Sequence, residues 1–375
     1  MRGKELEDHR VEFKCEVVRE SDCPSDSKVV TINPFVPSRY DSDSHDGVGS
    51  FTTMTLLLVL GEKAFRDFQN DRGEARGLID DVWPSVSIAY EYFMQQNWEM
   101  FNRTVSAKLG LEAVGQTTHQ RTTIAYQAVG MVTIGTVGSM GDGGARLIGR
   151  YHRKHLSALN QMKYVAAIRA NGSEARQLEC DIFQTLEHFL ENYESWEMGR
   201  LVRHVDSRGA AALDELILFR DEFSLVRDLY QQGFETACKC LWILVAAQNG
   251  VKRKDPNDFG ADHPASVPRS KHPKTLVQFE KLPNAHKISY VAQVPGWESV
   301  GRFLNSGRRN TIGHATARHD LRTGRVVSDK DPEGITYIAF LGETFSVFEA
   351  LASLMQVLRG VRVAASPDFA YFRKE

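Results

Sequence analysis

The sequence has too few cysteines, in the wrong places, for a metal ribbon or a disulfide scaffold. Its five, Cys15, Cys23, Cys180, Cys238 and Cys240, include no C-x-x-C pair, and the count is odd. Free thiols in a reducing cytoplasm are the expected state. The amino-terminal stretch MRGKELEDHR is charged and has no apolar core, so no secretory signal is expected. An excess of charge of one sign is also lacking. The formal net charge is -2 and the pI about 6.6, which argues against a uniformly basic nucleic-acid binder. Any RNA contact must come from local patches.

Catalytic signatures are equally sparse. There is no G-x-S-x-G nucleophile elbow. The Gly-rich run IGTVGSMGDGG (134–144) lacks the Lys-Ser/Thr ending of a phosphate-binding loop and contains no G-x-G-x-x-G. Tight helix packing is the simpler use of its glycines. The histidines at 263, 272, 286, 314 and 319 include no H-E-x-x-H, so neither a metal nor a cofactor is expected. No internal repeat or heptad array appears. Nor is there an obvious apolar run of the ~20 residues a membrane helix needs. The nearest, Ile124 to Met140, is interrupted by Gln127, Thr133, Thr136 and Ser139 and reads as a buried helix. A membrane-acting effector built on that stretch is one alternative.

What is present is a soluble, globular composition, 42% hydrophobic and 25% charged, over 375 residues. That length fits about two domains. The expected fold is mainly α, with an amino-terminal domain of about 1–205 and a carboxy-terminal domain of about 206–375. Residues 1–50 look irregular or β-rich, with strand-like VEFKCEVV (11–18) and KVVTINPFV (28–36). Leu78 to Leu109 has helical periodicity, broken around Pro84. Leu147–Ala170 and Ser173–Val202 read as helices. In the second, Leu178, Ile182, Leu186, Phe189, Leu190 and Tyr193 recur at three- and four-residue steps.

Beyond Ser207-Arg208-Gly209, Ala211–Asn249 reads as a long helix, bent or broken at Gly233 and stopped by Gly250. Residues 251–274, with four prolines and a surplus of Lys and Arg, form a long loop. Short helices follow. His319–Val327 and Gly334–Phe340 suggest a β-hairpin around SDKDPEG. Glu343–Leu358 reads as a final amphipathic helix whose inner face is Phe345, Phe348, Leu351, Ala352 and Met355.

Between the short helices and the hairpin lies SGRRNTIGHATARHD (306–320). Arg309, Asn310 and His314 spell R-N-x-x-x-H, with four residues between Arg and His. Here residues 210–360 resemble the HEPN ribonucleases. Those helical bundles carry an Arg, a polar residue that is often Asn, and a His at this spacing, and some have a β-hairpin between the motif and the last helix. The resemblance implies metal-independent RNA cleavage that leaves a cyclic phosphate. It also implies a homodimer whose two motifs share one cleft, and a biology of antiviral defence, abortive infection or toxin–antitoxin pairing with a regulatory or antitoxin protein.

The residue types suit the chemistry. Histidine's unperturbed pKa of about 6.5 suits proton transfer, so His314 is the expected acid or base. The planar fork of Arg309 suits a phosphate and its developing charge. Asn310 can position the phosphate. On an ideal helix Asn310 and His314 would share a face, while Arg309 and His314 would lie about 140° apart. Arg302, Arg308, Arg318, Arg322 and Arg325 surround the motif, with Asp320 the only acid between 302 and 325, and are expected to face RNA. A second basic stretch, YHRKH (151–155), reads as a solvated helix face. The main rival is a HEPN-like module that binds RNA, nucleotide or protein without cutting.

Overall fold

The computed structural model describes residues 38–39, 56, 60–111, 117–138, 172–205, 213, 216–218, 222–313, 317–320 and 323–365. The fold is mainly α. The expected strands at 11–18 and 28–36, the helix at 147–170 and the YHRKH stretch lie outside the described residues, as do His314 and Arg322.

The amino-terminal helices are α1 (Glu62–Gly77), α2 (Trp83–Met94), α3 (Trp98–Leu109), α4 (Thr118–Val137) and α5 (Gly172–Glu191). Helix α1 runs into α2 through a π-turn at Leu78–Val82. Proline has no N–H, and its ring crowds the carbonyl one turn back; a widened turn just before Pro84 accommodates both. The expected break at Pro84 is therefore only a bulge. The chain reverses instead at Gln96–Asn97, where Gln96 takes a left-handed conformation (φ 60°). Asn97 then caps α3 by accepting the Met100 N–H. Thr117 and Gln120 form a reciprocal capping box at the start of α4.

After α5, short helical turns follow at Tyr193–Trp196 (α6), Glu197–Arg200 (3-10) and Leu201–His204 (α7). A two-residue strand, β1 (Ser38–Arg39), pairs antiparallel with β2 (Leu216–Ile217). Helix α8 (Phe223–Arg253) is continuous and ends where Lys254 turns left-handed at φ 66°. The expected break at Gly233 does not occur. A Cβ there would lie 2.7 Å from Val347 and 2.8 Å from Phe189, so this glycine lets helices approach closely. Four short helices come next: α9 (Leu276–Glu280), α10 (Asn284–Val291), α11 (Glu298–Phe303) and α12 (Ser306–Ile312).

The expected two-stranded hairpin is a three-stranded antiparallel meander, β3 (Arg318–Asp320), β4 (Arg325–Ser328) and β5 (Asp331–Thr336). Most of SDKDPEG is strand rather than turn; the chain reverses at Asp329-Lys330. From Tyr337 the backbone is helical, so Gly334–Phe340 contributes only its first residues to β5. That last helix, α13 (Tyr337–Ala365), is longer than expected.

Helix α13 is the centre of the molecule. It packs on α4, α5, α8, α11 and the 197–200 turn. Its expected inner face is fully buried, and so are Val347, Ala350 and Leu354 on the other sides. Apolar residues thus cover most of its circumference, and only a narrow stripe that includes Glu343, Ser346, Glu349 and Ser353 stays half-buried, as suits a helix in a core. The turn at 197–200 crosses it so closely that a Cβ on Gly199 would lie 2.2 Å from the Leu341 carbonyl oxygen. Tyr337–Val363 is the one described helix long and apolar enough to cross a membrane, and 72% of its most apolar window is buried. The Ile124–Val137 part of the other apolar stretch lies in α4, where Tyr126, Val129, Gly130, Val132 and Thr133 are buried.

A single hydrophobic cluster spans both sides of the expected boundary near 205: α4 packs on α13, and α5 packs on α8 and α13. Buried charges cross it too. Glu179 of α5, 4% exposed, meets the Arg362 guanidinium of α13 at 2.6 Å and accepts the Tyr126 hydroxyl of α4.

Candidate active site

Helix α12 is a two-turn element that exists because of its cap and its floor. The Asn305 side chain accepts the Arg308 N–H at 3.0 Å, satisfying a donor that a helix start leaves free. Ile312, 1% exposed, anchors the far end in the core. The Gly313 N–H closes on the Arg309 carbonyl at 2.8 Å, and Gln231 of α8 donates to the Ile312 carbonyl at 3.3 Å. The helix rests on α8 and α10.

Arg309 and Asn310 sit side by side on this helix, Arg309 Nη1 donating to Asn310 Oδ1 at 3.5 Å. Asn310 is exposed, and the Arg309 side chain is 39% exposed. Its Nη2 lies 2.5 Å from Glu235 Oε1 of α8. The other Glu235 oxygen accepts from Asn284 of α10 at 3.0 Å. The motif arginine thus meets a carboxylate that is itself held from a third helix. Helix α12 ends at Ile312.

No protein-family model, curated protein or solved structure matches the chain.

The surrounding arginines divide. Arg308 points away from Arg309. Its Nη1 pairs with Asp331 of β5 at 3.2 Å and its Nε with Glu343 of α13 at 3.3 Å. Glu343 also accepts from Asn305 at 3.4 Å, and Tyr230 donates to the Asn305 carbonyl at 3.2 Å. Burial raises the Glu343 carboxyl above its ordinary value, and Arg308 opposes that shift. Arg308 therefore clamps α12 to the meander and to α13. Arg325 donates to the carbonyls of Glu333 and Gly334 at 2.7 and 3.1 Å, stitching β4 to β5. Arg302 and Arg318 are exposed, with no ion pair among the described residues.

The scarcity of acids between 302 and 325 therefore does not leave Arg308 and Arg309 unpaired. Glu235, Asp331 and Glu343 reach them from distant parts of the chain. Sequence reasoning did not name Glu235 or Asn284, nor Gln231. The available signal was weak: Gln231 and Glu235 are polar residues one turn apart in a largely buried helix.

Nearby thiols are inert by environment. Cys238 and Cys240 are buried in α8, and burial pushes the Cys240 thiol up to about 12. Among the described residues no three His, Cys, Asp or Glu converge as a metal site. A cleft of about 600 Å³ lies elsewhere, against α1, α2 and α5, lined by Arg76, Asp80, Trp83, Glu187 and Glu191.

Proposed function

We propose that the protein is a metal-independent endoribonuclease of the HEPN type, with Arg309, Asn310 and His314 as its catalytic residues. The RNA 2′-oxygen attacks the adjacent phosphorus, and the bond from phosphorus to the 5′-oxygen breaks. The 2′-hydroxyl proton leaves to a base, and the departing 5′-oxygen takes a proton. His314 serves this proton traffic. Arg309 binds the phosphate and stabilises the charge that develops on its oxygens. Asn310 holds the phosphate in register. The products are a 2′,3′-cyclic phosphate and a 5′-hydroxyl.

One observation carries the reading. Arg309 and Asn310 lie 3.5 Å apart on the two-turn helix α12, with Asn310 exposed and the Arg309 side chain 39% exposed, so that a polyanion can reach both. Exposed Arg302 and Arg318 flank that helix in sequence and supply unpaired positive charge. The proposed biology is a defence or toxin effector acting as a homodimer, with a regulatory or antitoxin partner. End-group analysis of cleaved RNA tests the chemistry. Cyclic phosphate and 5′-hydroxyl ends agree with it, whereas 5′-phosphate ends contradict it. Light scattering tests the dimer, which a monomeric mass would remove.

A second reading, a HEPN-like module that binds RNA, nucleotide or protein without cutting, is favoured by the Arg309–Glu235 pair. A guanidinium already engaged by a carboxylate has less to offer a transition state. The same RNA assay separates the two.

A further inference from the structure

We propose that residues 254–281 form a phosphate-tracking surface that holds the RNA backbone beside the Arg309 helix. Residues 251–290 carry eight Lys or Arg against four Asp or Glu, in a chain whose net charge is -2. The acids there are already engaged. Asp262 takes Lys252 at 2.5 Å and Arg253 at 3.4 Å, Asp258 accompanies Arg253 at 3.9 Å, and Asp255 accepts the Asn257 N–H at 2.9 Å. Glu280 has an interaction of its own. Lys254, Arg269, Lys271, Lys274 and Lys281 remain exposed, with no ion pair among the described residues.

These five cations are mounted on a stiff support. The rings of Phe259, Phe279 and Tyr290 pack together with centroids 5.6–5.9 Å apart. His263 and His272 stack at 3.8 Å, and Asn257 accepts the Leu276 N–H at 3.1 Å. The loop is thus closed on itself, and its lysines project from a fixed base rather than from a free chain.

Helix α10 joins this base to the motif. Asn284 at its start holds Glu235, the partner of Arg309, while Tyr290 near its end hydrogen-bonds His263 at 2.7 Å. Those two residues are separated by roughly 9 Å of helical rise at about 1.5 Å per residue. The ring cluster under the cations and the carboxylate that meets Arg309 are thus tied to one and the same helix. The choice of RNA as the polyanion rests on the ribonuclease reading. An anionic membrane fits less well, because Val277, 60% exposed, is the one large exposed hydrophobic between 254 and 281.

The test measures binding of a fluorescent, mixed-sequence single-stranded RNA by anisotropy across a salt series. It uses the full chain carrying His314→Ala, with and without Lys254, Arg269, Lys271, Lys274 and Lys281 changed to Gln. All five side chains are exposed, so the variant should fold, and its melting curve checks this. A Lys271→Gln/Lys274→Gln double variant provides a milder version. The expected result is at least a tenfold weaker Kd at low salt. The slope of log Kd against log salt should fall by about 0.7 for each cation engaged. An unchanged Kd and slope would overturn the proposal. So would absence of RNA binding before the five changes, or retention on anionic phospholipid vesicles in place of RNA. Binding that depends on the loop, in a chain that cuts no RNA, would keep this surface and remove the nuclease; cutting that ignores the loop charges would do the reverse.

Discussion

Replacing Glu235 with Gln should tighten RNA binding while barely touching stability. The substitution keeps the shape of the side chain and an oxygen for the Asn284 amide, but removes the charge 2.5 Å from the Arg309 guanidinium. The two side chains are 39% and 40% exposed, so solvent screens their attraction. Exposed pairs of this kind contribute roughly 0.2–1 kcal/mol. The melting temperature should therefore fall by only about 2 °C or less. The effect on RNA is larger. A phosphate at Arg309 would sit roughly 5 Å from the Glu235 carboxylate, and two like charges at that distance repel by about 0.8 kcal/mol in water and about 3 kcal/mol at an effective dielectric of 20. Affinity should rise about fourfold even at the lower figure. Anisotropy of labelled RNA in a His314→Ala background, at low salt, reads this directly. Weaker binding by Glu235→Gln would refute the reasoning, because it would mean that Glu235 holds Arg309 in its binding pose rather than competing with the phosphate.

Other expectations follow from the packing. Gly233→Ala should cost about 1–3 kcal/mol in a denaturant titration, since its Cβ meets Val347 and Phe189 inside 3 Å. Gly73→Ala, mid-helix with nothing within 4 Å, should instead stabilise by up to about 1 kcal/mol. Arg362→Met should lose about 3 kcal/mol by stranding the Glu179 carboxylate, and adding Glu179→Gln should recover part of that loss; strict additivity would contradict the pairing. Burial and then Arg200 lower the His204 pKa from 6.5, against the opposing pull of Asp71 and Asp67. The unfolded chain then binds the proton more readily, so stability should fall as pH drops through 6.5 toward the folded value and be fully present above 6.5. A His204→Gln variant should show a flatter profile between pH 7 and 5, and an unchanged slope would assign that pH dependence to other groups.

Helices were legible wherever one apolar stripe met one core. The 178–193 periodicity is buried as expected, and so are Phe223, Val226, Leu229 and Tyr230 on α8. Glycines misled because their role is set by what crosses them. Gly233 reads as a breaker in isolation and is instead the point where Val347 and Phe189 come closest to α8. The start of α13 was hidden by its composition: Tyr337–Leu341 is wholly apolar, has no polar residue to mark a helical period, and reads as the end of a strand. The meander was mistaken for a hairpin because Asp331, Pro332 and Glu333 resemble turn residues while occupying a strand.

At the candidate site, the adjacency of Arg309 and Asn310 was legible in R-N-x-x-x-H. The carboxylates that meet the basic cluster were not. Glu235 of α8, Asp331 of β5 and Glu343 of α13 are brought to it by tertiary packing, and a local count of charge has no access to that packing. The sequence pattern breaks near 205, and the packing of α5 on α8 and α13 runs across that point.

The most direct measurement of the central claim is RNA cleavage in excess chelator by the unaltered protein, Arg309→Ala and His314→Ala. The unaltered protein should cut undiminished by chelator, and both variants should lose cutting. Cleavage that survives both substitutions would contradict that claim.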